Sequence, residues 1–584
     1  MYFNYFIIPF FIGLLILLAI VFVRFSVWIG SLSRLEHKRI LKNIFTTKTL
    51  SAIKESFVEG LLHRKIFKTN PVLGYMHMSL AFGWFLLIVV GHIEAFVHFN
   101  SVLVSSHIPI FYRFFITDDH STFFPFLMDL LLLMVLSGVA LAYFKRFNKK
   151  AFGMKKTTKL KAHDYIALSF LWFVFPLRFL AESFSAGIHH NGSFLTQTAG
   201  NFFANFLPLD TLALPTWWAY SFALGGFFVA LPTSRYMHIP TEILFIFLKH
   251  YGIKLKKSYN AYSRVQVNSC SRCGICINKC PLLDANITTT QSVYMLTKLR
   301  KNDLSDETLF NCLLCGQCQN ACPVDIGLND IRTSRRILTT KEYNSTYDYL
   351  ENKIHKKADV IYFAGCMTHL TPAIKKSMVD IFNHVGANYW FMDENEAACC
   401  GRPLMTAGQN QAAQKLIIQN QQDILASGAK TLVLSCPICY KTFNEDYNLG
   451  DIRILHHSEY ILELINANKL PINQTFTSAI YHDPCELGRG SGIYEQPREV
   501  LKNYVNLVEP NREKEDAFCC GGSLSNIKIQ MNERNDIRDK VLDNYAKTPS
   551  DLLITACPLC KKTFTKGKDI EVKDIAEVVA MDLN

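Results

Sequence analysis

All eighteen cysteines of this 584-residue chain lie after residue 269, and each belongs to a repeated spacing pattern. Cys270, Cys273, Cys276 and Cys280 sit in CSRCGICINKCP, and Cys312, Cys315, Cys318 and Cys322 in CLLCGQCQNACP. A second pattern, a single Cys, then Cys-Cys-Gly, then Cys-Pro-x-Cys, also occurs twice. It supplies Cys366, Cys399, Cys400, Cys436 and Cys439, then Cys485, Cys519, Cys520, Cys557 and Cys560. None is left over for a disulfide, so the usage points to reduced, intracellular thiols committed to metal. The two short runs have the spacing and closing Pro that wrap 4Fe–4S clusters, the fourth Cys of each run serving the other cluster. Cluster one then takes Cys270, Cys273, Cys276 and Cys322, and cluster two Cys312, Cys315, Cys318 and Cys280. Structural zinc sites fit such runs poorly. A chain built this way moves electrons.

The longer pattern is an internal repeat with a period near 120 residues. Around it, DVIYFAG and TSAIYHD read as short strands ending at the first Cys. KTLVLSCPIC and SDLLITACPLC read as strands delivering Cys-Pro-x-Cys to a helix start. NQAAQKLIIQNQQDILAS and NERNDIRDKVLDNYAK read as the amphipathic helices before them. Strand and helix alternate, which implies two α/β units with cysteines on loops at strand ends. Adjacent cysteines point apart in an extended segment, so using both at one centre needs a tight bend, for which Gly401 and Gly521–Gly522 are placed. Five thiols exceed the needs of one cubane. That leaves an unusual cluster or a substrate-facing iron open beside the plainer reading of cubane or zinc sites with a spare thiol.

The net charge of +12 is not spread evenly. Residues 1–257 carry 25 Lys and Arg against 11 Asp and Glu, whereas the remainder holds 36 against 38. The basic half is also the apolar half, a membrane pattern rather than a nucleic-acid one. Five stretches are long enough to span, near Phe3–Val23, Tyr75–Phe96, Phe123–Phe144, Asp164–Phe184 and Leu212–Pro232. The first lacks the basic start and cleavage site of a signal peptide. The connection between spans one and two holds ten basic residues, and that between spans three and four holds eight, including KRFNKKAFGMKK. The positive-inside rule then sets the N-terminus outside and the cysteine-rich region on the cytoplasmic side.

Histidines within this bundle suggest haem b. His77, at the start of span two, and His238, just after span five, share the cytoplasmic depth that two axial imidazoles need. His92 lies about 22 Å further along the same helix, where a second haem would need a partner, and span five offers Trp217, Trp218 and Tyr220 there instead. His163 is a reserve ligand, and interface placement without haem is the plainer alternative. Glu94, Asp129, Arg178 and Glu182 lie within spans, where charges are costly. They suit either proton exchange at a quinone site or, for Arg178 and Glu182, an ion pair one helical turn apart.

With these motifs in view, the last 230 or so residues resemble the tandem Cys-Cys-Gly domains of the heterodisulfide reductase catalytic subunit. Similar domains occur in iron–sulfur subunits of glycerol-3-phosphate, glycolate and lactate oxidation systems. The His-bearing N-terminal bundle resembles the haem b gamma subunit of respiratory nitrate reductase. The fused arrangement is similar to bacterial electron-transfer-flavoprotein:menaquinone oxidoreductases. The resemblance implies a non-cubane 4Fe–4S cluster on each set of five cysteines, a menaquinone substrate and a soluble flavoprotein or dehydrogenase partner. No flavin or nicotinamide fingerprint is evident, since GRGSG at Gly488–Gly492 lacks the strand–turn–helix setting.

The resulting expectation is a five-span α-helical membrane bundle (1–255), a mainly helical two-cluster ferredoxin segment (256–350) and two α/β Cys-Cys-Gly domains (355–470 and 471–584). Its function would be quinone-linked electron transfer at the bacterial cytoplasmic membrane. A thiol–disulfide reductase and a non-catalytic conduit or redox-sensing subunit are the alternatives.

Overall fold

The computed structural model describes residues 4–100, 110–116, 123–148, 158, 160–255, 259–342, 356–395, 398–524, 528–567 and 570–583. The basic run at 149–156 and the expected boundaries at 256 and 350–355 lie outside them. The chain divides into two compact units: residues 1–255 with 260–275 and 323–326, and residues 256–259, 276–322 and 327–584.

The first unit is built on helices α1 (Ile8–Gly30), α2 (Pro71–Phe99), α3 (Phe123–Phe147), α4 (Ala162–His189) and α5 (Leu209–Ala230). All five are long and apolar enough to cross a membrane. The first continues past Val23 to Gly30, since RFSVWIG contains no proline. Asn70 starts α2 by accepting a 3.0 Å hydrogen bond from the Leu73 N–H, with Pro71 at the first helical position, where no amide is needed. Phe6, Phe111, Trp217 and Tyr220 form the aromatic centre of the bundle. Helix α6 (His238–His250) follows α5 through two short 3₁₀ turns. It packs through Phe245 and Leu248 on Tyr262 and Val265 of α7 (Ala261–Ser269). The helix that leads into the first cysteine run therefore belongs to this unit.

In the second unit the stretch between the two cysteine runs is helical, at Ser292–Leu299 and Asp306–Phe310. Two four-stranded parallel sheets follow. One uses β1 (Val360–Phe363), β2 (Tyr389–Phe391), β3 (Thr431–Leu434) and β4 (Arg453–His456) in the order β2-β1-β3-β4. The other uses β5 (Ser478–His482), β6 (Asn506–Val508), β7 (Leu552–Thr555) and β8 (Glu571–Asp574) in the order β6-β5-β7-β8. The inner strands VIYF, TLVL and LLIT are apolar on both faces, as parallel strands covered by helices must be. The repeat seen in the sequence is thus a repeat of topology. The two sheets share one core, in which Tyr362 and Val433 join Tyr481 and Ile554. A fully buried hydrogen bond of 3.0 Å from His457 Nε2 to Asp574 Oδ1 links the ends of β4 and β8.

Candidate iron–sulfur and haem sites

Helix-flanked turns gather Cys280, Cys312, Cys315 and Cys318 around one small cavity. Leu314 and Gly316 take positive φ there, which turns the backbone around the thiols. The Leu314 amide donates to Cys312 Sγ (3.4 Å) and the Ser292 hydroxyl to Cys318 Sγ (3.3 Å). Burial, with the neighbouring thiolates, holds the Cys280 thiol well above its usual range and pushes Cys318 up to about 12. Four thiols packed this tightly in a dry pocket cannot all ionise without a compensating cation, so the donor set suits a bound metal cluster. Of the other expected cluster, Cys270 and Cys273 fall in the first unit, and Cys276 and Cys322 in the second.

Each sheet delivers its own five cysteines. Strand β1 ends before Cys366, and β3 leads to Cys436 and Cys439 at the start of helix α8 (Pro437–Asp446). Cys399 and Cys400 reach the same place through the turn at Gly401, whose φ of +87° explains the residue type. Side-chain hydrogen bonds link Cys366 with Cys399, and Cys439 with both Cys400 and Cys436. In the second repeat Cys485, Cys519, Cys520, Cys557 and Cys560 are linked in the same way, with Cys520 and Cys560 sulfurs 3.3 Å apart. Gly521 turns there with φ +84°. In addition Cys519 shares a hydrogen bond with Cys315. These two residues lie in one apolar core with Leu282, Leu313, Ile529 and Ile537. The second repeat, not the first, therefore adjoins the four-cysteine cavity. A narrow cleft also reaches Cys485, Cys520, Cys557 and Cys560, with Arg402 and Glu486 on its walls.

Two polar residues at the second repeat carried no sequence signal of their own. His482, at the end of β5, places a ring nitrogen within 4.8 Å of the sulfurs of Cys520 and Cys560. Burial lowers the pKa of its imidazole from the usual value. Arg489, inside the GRGSG segment, donates from Nε to the Cys315 carbonyl (2.8 Å) and from Nη1 to the Ala517 carbonyl (2.8 Å). Aligning the repeats was the signal that could have found both.

In the first unit, His238 and His63 both lie within electrostatic reach of His77, and the His63 and His77 rings are 5.5 Å apart. His63 is a third imidazole at this end of the bundle that the sequence reading did not single out. His238 Nδ1 bonds the Arg235 carbonyl (2.7 Å), while the Arg235 amide donates to Asp164 (2.8 Å). Asp164 also pairs with Arg272, so one carboxylate ties the Cys270–Cys273 loop to the turn that carries His238. His92 faces outward and bonds the Ile88 carbonyl (2.7 Å), and His163 is exposed. The within-span charges have protein partners. Glu94 pairs with Arg113 (2.8 Å) and Arg178 with Glu182 (2.9 Å). Asp129 accepts from the Leu195 and Thr196 amides (both 2.9 Å).

Comparison with known proteins fits this geometry. Residues 266–326 match the 4Fe-4S dicluster domain, and residues 360–444 and 479–565 each match the cysteine-rich domain (CCG). An iron–sulfur polypeptide of the dihydromethanophenazine:CoB–CoM heterodisulfide reductase of Methanosarcina barkeri is 33% identical over 254 residues, 39% of this chain and 60% of that protein. Its Methanosarcina mazei counterpart is 28% identical over 364 residues, 57% and 83% of the two chains. EtfAB:quinone oxidoreductase of Syntrophomonas wolfei is 26% identical over 245 residues, 38% and 34%. The chain thus spans about 60% of the length of the Methanosarcina barkeri relative. With five helices long and apolar enough to cross a membrane, a 4Fe-4S dicluster domain and two cysteine-rich domains, the chain is related to the iron–sulfur oxidoreductases represented by this heterodisulfide reductase polypeptide and by EtfAB:quinone oxidoreductase.

Proposed function

We propose that this chain is a membrane-bound oxidoreductase that transfers electrons between a soluble redox partner, such as an electron-transfer flavoprotein, and menaquinone. The observation that supports this reading is the buried contact of Cys315, within the 4Fe-4S dicluster match, with Cys519, within the second cysteine-rich match. In this reading Cys280, Cys312, Cys315 and Cys318 hold one cubane, and Cys270, Cys273, Cys276 and Cys322 the other. Each repeat holds one further 4Fe–4S cluster, of non-cubane type, on its five cysteines. Bound clusters supply one-electron transfer, which the protein itself cannot perform. His77 and His238 hold one haem b, with His63 as the alternative imidazole, and the outward ring of His92 argues against a second. The unequal basic loops support a cytoplasmic position for the cysteine-rich half at a bacterial membrane.

Iron analysis and difference spectra of the full-length protein test this. About sixteen irons are expected from four 4Fe–4S clusters, together with a b-type absorbance that flavoprotein reduces and menaquinone reoxidises. Mainly zinc, or about eight irons, would sink the cluster assignment. The absorbance should vanish in His77→Ala and His238→Ala and persist in His92→Ala; persistence in His238→Ala would end the pairing. A second reading, reduction of a small disulfide, is favoured by the cleft that opens onto Cys520 and Cys560. Disulfide-dependent oxidation of the reduced protein without quinone would support it.

A further inference from the structure

Of the differences between the repeats around the first cysteine of each, two put a nitrogen-bearing side chain beside the second set of thiols. His482 lies three residues before Cys485, where the first repeat has Phe363 before Cys366. Arg489 lies four residues after Cys485, where the first repeat has the exposed Leu370. Both second-repeat side chains keep one buried nitrogen without a partner, His482 Nε2 and Arg489 Nη2. Leaving such a donor unsatisfied in a dry interior costs about 1–3 kcal/mol, so a native structure is expected to supply an acceptor. Their other nitrogens are fixed. His482 Nδ1 sits 2.7 Å from the Tyr545 hydroxyl, and the tautomer that accepts from that hydroxyl carries its proton on Nε2. Arg489 is held by the carbonyls of Cys315, Glu515 and Ala517. Its guanidinium lies within electrostatic reach of the sulfurs of Cys315, Cys485 and Cys519, while His482 stands beside Cys520 and Cys560.

We propose that His482 Nε2 and Arg489 Nη2 are positioning donors to the sulfurs of the second-repeat cluster, and that they raise its midpoint potential above that of the first. Donors and positive charge near sulfur stabilise the reduced, more negative state. Among the described residues, the first repeat, 360–444, contributes no unpartnered buried side-chain nitrogen. There the Cys400 sulfur meets the Cys439 thiol and the Thr442 hydroxyl (4.0 Å), the Gly401 amide donates to Cys399 Sγ (3.4 Å) as the Gly522 amide does to Cys520 Sγ (3.4 Å), and His369 is turned to Asp393 (3.2 Å). One fold would thus hold two clusters of unequal potential, the easier one to reduce lying next to the ferredoxin-type site. The inference rests on the reading that each repeat holds a cluster.

Potentiometric EPR titration of the full-length protein tests it, with Cys400→Ser and Cys520→Ser identifying the two repeat signals. His482→Phe and Arg489→Leu, each installing the first repeat's residue, should shift only the second-repeat signal to lower potential. Arg489→Lys should restore part of that shift. An unchanged midpoint with full iron content would overturn the proposal. So would a nitrogen coupling strong enough to mean that His482 is itself a ligand, or loss of the cluster from both variants, which would make the residues structural. If the unaltered protein lacks iron in the repeats altogether, the cluster reading fails first, and iron content separates that outcome from the others.

Discussion

The first and second Cys-Cys-Gly repeats have the same strand order and the same five cysteines, yet their surroundings differ. The first gathers its thiols under Phe363 and Phe443, whose rings pack edge-on 5.0 Å apart. The second sets His482 in the place of Phe363, presses Cys519 against Cys315 and lines the cleft with four of its five cysteines. The topology therefore fixes which thiols meet, and the side chains one layer out fix what each site adjoins. The second frame adjoins the ferredoxin-type cavity, and the cleft reaches its cysteines while taking part of its wall from the first frame.

Removing one thiol from each frame should give the largest contrast. Cys520→Ser and Cys400→Ser should each lower iron from about sixteen to about twelve per chain. Transfer from donor to quinone should fall at least about a hundredfold in Cys520→Ser, a barrier increase of about 2.7 kcal/mol, because that site adjoins both the cleft and Cys315. A smaller loss in Cys400→Ser would sharpen the asymmetry. Equal losses, or normal rates in Cys520→Ser with its iron missing, would break it. Dithionite should still reduce the ferredoxin-type clusters in both variants.

Much of this frame was legible in the sequence. The period near 120, the strands VIYF and LLIT and the helices that precede β3 and β7 all appear where the apolar patterns put them. Cys280 meeting Cys312, Cys315 and Cys318 follows from the spacing of two short runs. The sequence could not reveal the Cys315–Cys519 contact, because it joins residues some two hundred positions apart through a shared apolar core. His63 was equally silent, since a lone histidine before a short helix has no pattern. The within-span acids were left between proton exchange and ion pairing. Their partners Arg113 and the Leu195 amide lie on other segments, while Arg178 and Glu182 pair along one helix, as their spacing allowed.

The bend at each Cys-Cys-Gly offers a second, smaller contrast. A Cβ at position 401 would stand 3.2 Å from the Ala413 carbonyl oxygen, and one at 521 would stand 2.9 Å from that of Arg534. Both glycines have positive φ, where alanine costs about 1 kcal/mol before any clash. Gly521→Ala carries the additional overlap with backbone, which cannot rotate away. Its cluster absorbance should be lost at lower urea than that of Gly401→Ala, with both below the unaltered protein. The reverse order would mean that the second frame is the more adaptable.

The smallest expected effect concerns Glu445, a charge that belongs to the first repeat alone, since Lys566 stands at the same offset in the second. Burial raises its carboxyl pKa, against the lowering influence of Lys441 and Arg402, the latter 3.6 Å away. A carboxyl that holds its proton more tightly when folded costs no stability below its unfolded pKa. The cost develops as pH rises from the ordinary carboxylate range through the raised folded value, and persists above it. Glu445→Gln should therefore raise the urea midpoint slightly at pH 7 and leave it unchanged near pH 4. The side chain is about half exposed, so solvent screens most of the effect. A lower midpoint at pH 7 would mean that the pairing with Arg402 outweighs the burial. The wall of the cleft contributed by the first repeat would then be held by charge, and Arg402→Ala should destabilise it to the same extent.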